Sequence, residues 1–208
     1  MTKAPGKPLF SLPETYRILF HAIRTMPCMM RGEKNGSLSP ALRERLMIAV
    51  TEVNGCAMCS YAHARMALET GLREEEIRNM LQGELRDVPT DEITAVLFAQ
   101  HYADTRGIPD RAAWDKLCGQ YGRAAALAML GAIRGITMGN AYGIPAGSIL
   151  RRLGVTRFHV DSRSTPAYEI AMILTLLPFA LAAAVHAGLS RLLGMPVDSP
   201  LGVTPSAA

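Results

Sequence analysis

Aromatic residues make up only 6% of this 208-residue sequence, and lysine is scarcer still: the basic residues are 18 arginines against 4 lysines, strewn along the chain without a basic run. Proteins that track phosphates gather their cations on one face and interleave them with stacking rings, so no nucleic-acid partner is expected. Charged residues are also few, 19% against 49% hydrophobic, which excludes an intrinsically disordered chain. The four cysteines, Cys28, Cys56, Cys59 and Cys118, are unequally spaced, and the opening MTKAPGKPLFSLPETYRILF carries no continuous apolar leader before a small-residue cleavage site. That is not the framework of a small secreted domain, so a cytoplasmic, reducing compartment is expected. No segment alternates apolar and polar residues as a strand does, which leaves an all-α fold class.

The length suits one domain with at most a short appendage. Helical spacing of Tyr16, Leu19, Phe20 and Ile23 predicts a helix over Pro13 to Met26, stopped by Pro27. Ser39-Pro40 reads as an N-cap followed by proline at the first helical position, and Asn54-Gly55 as the end of that helix. A further helix starts at Cys56 and closes at Thr70-Gly71. Shorter ones follow from Arg73 to near Gly83, from Pro89 to Gly107 and from Pro109 to about Tyr121, then a small-residue helix from Gly122 to Asn140. These boundaries give a helical domain over 1–153, a polar linker over 154–168, an apolar helix over 169–193 and a flexible tail over 194–208.

The apolar excess sits in IAMILTLLPFALAAAVHAGL, residues 170–189, bracketed by Glu169 and Arg191. It is long enough to span a bilayer, and Arg151, Arg152, Arg157 and Arg163 on its N-terminal side would keep the helical domain cytoplasmic. Pro178, the many alanines and His186 fit equally a helix packed into the core or an oligomer interface. Membrane association through 170–189 and soluble packing both stay open.

The chemistry-bearing stretch runs from Glu44 to His63. On one helix, Cys59 and His63 are neighbours at i and i+4, and Cys56 lies three residues before Cys59. Glu44 and Glu52 approach from the preceding helix if the Asn-Gly break turns the chain back. A cysteine in the first turn of a helix has its thiolate favoured by the dipole, an adjacent imidazole can take the proton, and a carboxylate can orient that imidazole. Two cysteines separated by two residues can also close a disulfide reversibly. Against this stand a zinc site, which would need a fourth ligand that no second motif supplies, and inert core thiols. Cys28 and Cys118 read as packing residues. No cofactor and no metal are expected.

With these residues in view, the sequence resembles the carboxymuconolactone decarboxylase and alkylhydroperoxidase D-like family over about residues 38–140. The resemblance is carried by Leu42-Arg43-Glu44-Arg45-Leu46, by Glu52-x-Asn54-Gly55-Cys56-x-x-Cys59-x-x-x-His63 and by Gly71-Leu72-x-x-Glu75-Glu76-Ile77. It implies an all-helical protein assembling as a homo-oligomer, trimer or hexamer, that reduces a hydroperoxide and is recharged by an external dithiol. By that similarity Cys59 is the peroxidatic cysteine, Cys56 the resolving one, His63 the proton acceptor and Glu44 the activating carboxylate. Glu52 corresponds to a glutamate of the peroxidase-related branch. Met58 stands where the alkylhydroperoxidase D proteins have a histidine. Family decarboxylases lack the cysteine pair, which disfavours lactone decarboxylation. A general thiol–disulfide oxidoreductase and a non-enzymatic zinc-binding or assembly protein are the other readings.

Overall fold

In a computed structural model, which describes residues 7–157 and 159–197, every regular element is a helix: α1 Leu12–Asn35, α2 Pro40–Asn54, α3 Ala57–Glu69, α4 Glu74–Met80, α5 Ile93–Asp104, α6 Arg111–Tyr121, α7 Arg123–Arg152 and α8 Pro166–Leu192. The local signals act through identifiable hydrogen bonds. Ser39 accepts the Leu42 N–H at 3.0 Å, Asp110 accepts the Ala113 N–H at 2.7 Å, and the Ser11 N–H donates to the Glu14 carboxylate at 2.9 Å. Helix α7 is the central member, touching α1, α2, α3, α5, α6 and α8. One apolar core forms where α2, α3, α5 and α7 meet, around Leu46, Ile48, Ala99 and Ile133. A second lies between α1, α7 and α8, around Leu19, Ala141 and Met172.

Two helices run further than the sequence predicts. Pro27 does not end α1, which continues to Asn35. A proline inside a helix leaves the carbonyl four residues back without its donor, and here the Arg191 guanidinium of α8 donates to the Ile23 oxygen at 3.4 Å. Asn140 does not end α7 either. Its side chain is fully buried and hydrogen-bonded across to α2, so it does not compete for the local backbone as a terminating asparagine would. The fourth helix is shorter than expected and stops at Met80. A turn follows there, with the Gly83 N–H on the Met80 oxygen.

Helix α8 is long and apolar enough to cross a membrane by length and composition alone. Along one side it buries Met172, Ala183 and Ala187 against the body of the protein. Glu169 is buried in an ion pair with Arg152 at 3.0 Å, the Tyr168 hydroxyl donates to the Phe10 oxygen at 3.0 Å, and His186 stacks on Phe20 at 4.2 Å. The outward side is an uninterrupted apolar stripe: Leu174, Leu177, Leu181 and Val185 are each more than 60% exposed. Of the tail predicted over 194–208, residues 198–208 lie outside the described residues.

Candidate active site at the start of helix α3

The turn between α2 and α3 builds the site. Gly55 closes α2 in the left-handed region, φ 74°, with its N–H on the Thr51 oxygen at 2.8 Å. The Arg163 guanidinium donates to the Asn54 oxygen at 3.2 Å and is itself held by Asp161. The chain reverses there, and Cys56 becomes the N-cap of α3, its sulfur accepting the Cys59 N–H at 3.3 Å. Cys56 and Cys59 are joined as a disulfide with Cα atoms 5.3 Å apart. Cys56 is 0% exposed and Cys59 7%, so Cys59 is the less buried residue of the pair.

One turn further along α3, the His63 Nδ1 lies 2.8 Å from the Glu44 carboxylate, on α2. Glu44 is 1% exposed and also accepts from the Arg43 Nε at 2.9 Å, while Arg43 reaches Glu33 on α1 at 2.6 Å. Burial alone would push the Glu44 carboxyl up. The hydrogen bond and charge of His63, with those of Arg43, outweigh it and hold the group below its ordinary value. With Nδ1 committed to Glu44, the remaining ring nitrogen of His63 is the one available for proton transfer.

Stability follows from the sign of that shift. A carboxyl lowered in the folded state contributes stability that is fully present above its ordinary value of 4.5 and is lost as pH falls through the lowered folded value. Urea unfolding measured from about pH 3 to pH 7 should therefore show an acid limb in the wild type and a shallower one in Glu44→Gln. Equal slopes would remove Glu44 as a source of the acid sensitivity.

Helix α7 roofs the disulfide at Gly143. A Cβ there would lie 2.6 Å from the Cys59 sulfur and 2.9 Å from the Cys56 sulfur, so only glycine permits the approach. The Gly139 oxygen is 3.6 Å from the Cys59 sulfur. Between these glycines, the Asn140 Nδ2 donates to the Thr51 hydroxyl at 3.1 Å and its Oδ1 accepts from the Asn54 Nδ2 at 2.9 Å, tying α7 to the end of α2.

The five sequence candidates thus divide. Cys56, Cys59 and His63 lie at the N-cap and on the first two turns of α3, and Glu44 reaches His63 from α2. Glu52 lines a neighbouring cavity of about 550 Å³ together with Met58 and Gly143, and its carboxylate faces Gly83, where a Cβ would be 3.8 Å away. The carboxylate on His63 is that of Glu44. Met58 packs on Gly143 and Gly147, filling the place between the two cysteines with an apolar side chain. Sequence reasoning missed Gly143, Gly139 and Asn140; the signal for the two glycines was a glycine at every fourth position from Gly131 to Gly147. Among the described residues, no group of three His, Cys, Asp or Glu side chains is placed to hold a metal ion.

The model of the carboxymuconolactone decarboxylase family matches residues 24–100, a segment that contains Cys56, Cys59, His63 and Glu44. Over that segment the chain is similar to this family. No curated protein and no solved structure matches the chain. The family segment ends within α5, so the helix that roofs the disulfide and the apolar α8 both lie beyond it.

Proposed function

We propose that the protein is a thiol-dependent peroxidase that cycles Cys56 and Cys59 between dithiol and disulfide. The observation that carries this reading is the Cys56–Cys59 disulfide at the N-terminus of α3, with the Glu44–His63 pair one turn away. In the reduced protein both sulfurs occupy the first turn of a 13-residue helix, where the dipole and free N–H groups favour thiolate. Cys59, the less buried, attacks the terminal peroxide oxygen. The O–O bond breaks, Cys59 becomes a sulfenic acid, and the alkoxide leaves as the alcohol after taking a proton. The Cys56 thiolate then attacks the sulfenic sulfur and expels hydroxide, which departs as water with a proton supplied through His63. An external dithiol reduces the disulfide and is itself oxidised, completing a two-electron cycle. Dependence on a dithiol donor suits a reducing, cytoplasmic setting.

Titration of the reduced protein with one equivalent of an alkyl hydroperoxide tests the cycle. Two of the four thiols should disappear rapidly, with Cys28 and Cys118 still free. Slow loss spread over all four thiols would count against it.

A further inference from the structure

Helix α8 turns one side to the protein and the other to its surroundings. The inner side is fixed: Met172, Ala183 and Ala187 are buried, Glu169 pairs with Arg152, and the His186 Nδ1 lies 3.2 Å from the Tyr16 hydroxyl. The outer side carries Ile170, Leu174, Leu177, Leu181, Val185 and Leu189, all exposed and three or four residues apart, so that they line one side of the helix. No Asp, Glu, Lys or Arg interrupts the stretch between Ile170 and Leu189, about 30 Å of helix. Together with Ile173 and Leu176, these side chains present on the order of 700 Å² of apolar surface. The largest such patch on a typical soluble monomer is about 300–600 Å².

We infer that this face is a twofold interface, on which α8 packs antiparallel against α8 of a second copy of the chain. Doubled across a symmetric pair, the apolar area comes to about 1,400 Å², within the roughly 1,200–2,000 Å² that a stable specific interface buries, and a twofold axis sets the same patch against itself. Shape gives the direction. Bulky Ile170, Leu174 and Leu177 occupy the first half of the stripe, and Ala184 and Gly188, both exposed, lie in the second. Antiparallel pairing therefore brings the large side chains of one copy over the small ones of the other. The axis passes between Leu177 and Leu181, so that Leu177 meets Leu181 of the second copy and Leu174 meets its Val185. A lipid surface fits the face less well. Helices that lie in a membrane interface back their apolar face with a polar one rich in Lys and Arg, whereas the back of α8 is packed on α1 and α7. A helix crossing the bilayer would have to leave the body on which Met172, Ala183 and Ala187 are buried.

Sedimentation velocity and light scattering of the full chain in detergent-free buffer test the pairing. The wild type should contain an even number of chains. The double variant Leu177→Asp, Leu181→Asp, which sets carboxylates against one another at the axis, should halve that number and raise the dissociation constant at least about a hundredfold. Both leucines are exposed in the single chain, so these substitutions leave its core alone. If the double variant does not fold, Leu181→Gln, uncharged and similar in size, should weaken the pairing about threefold to tenfold. An odd number of chains in the wild type, an unchanged mass in the folded variants, or a fall by any factor other than two would overturn the proposal. So would flotation of the wild type with neutral phosphatidylcholine vesicles that is lost in the same variants, since that assigns the face to lipid. The peroxidase cycle and the pairing fail separately, because thiol titration reads the first and mass the second.

Discussion

Replacing Cys59 with serine is expected to abolish hydroperoxide turnover, by at least about a thousandfold, while leaving the fold intact. Serine is close to cysteine in size, and its hydroxyl is far less acidic than a thiol, so the first-turn position no longer yields a nucleophile. Cys56→Ser should behave differently. The peroxide step survives, but no partner sulfur remains to condense with the sulfenic acid, so one sulfenate accumulates per chain and a carbonyl-acid trap such as dimedone labels it at Cys59. Coupled peroxide consumption and mass spectrometry of the trapped adduct read the two variants. Full activity in Cys59→Ser would sink the assignment, and a trapped sulfenate on Cys56 would exchange the two roles. A protein that only exchanges disulfides would lose that exchange in both variants and give no trapped adduct in either.

The second large effect is expected at Gly143. Alanine in a helix interior is favoured over glycine by about 1 kcal/mol, so Gly→Ala normally stabilises a helix. At Gly143 the added methyl would sit 2.6 and 2.9 Å from two sulfurs that are tied to each other and cannot part to admit it. The net result should be destabilisation by about 1–3 kcal/mol, as for overpacking in a filled core. Gly135, on the same helix, has nothing within 4 Å of its would-be Cβ. Gly135→Ala should therefore stabilise by up to about 1 kcal/mol. Denaturant melts of the two variants, oxidised, decide the matter by sign: if both stabilise, α7 does not rest on the disulfide as described.

Much of this was legible in the sequence because its signals are local. Ser39-Pro40 and Asn54-Gly55 begin and end α2 through their own hydrogen bonds and φ preference, and the i, i+4 relation of Cys59 and His63 follows from helix geometry alone. The limits are equally physical. Pro27 reads as a stop unless it is known that Arg191, far away in sequence, supplies the donor that the Ile23 carbonyl lacks. Asn140 reads as a terminator unless its amide is seen to be occupied by Thr51 and Asn54. Ending α7 there hid Gly143, whose missing side chain lets the helix approach the two sulfurs. Glu44 and Glu52 are both glutamates on one helix, and only the packing of α3 against α2 selects Glu44 as the partner of His63.

The glycines of α7 carry one more consequence. Gly131, Gly135, Gly139, Gly143 and Gly147 together disfavour the helix by roughly 4–5 kcal/mol relative to alanine. Intrinsic preference therefore runs against the stretch of α7 that roofs the disulfide, and that stretch is helical because of what it touches: Met29 and Thr25 of α1 at Gly131, the sulfur pair at Gly143 and Met58 at Gly147. The first two turns, Arg123–Leu130, are rich in alanine and leucine and favour the helix by themselves. The two halves of α7 thus owe their shape to different causes, and loss of the contacts of α1 and α3 should fray the second half before the first.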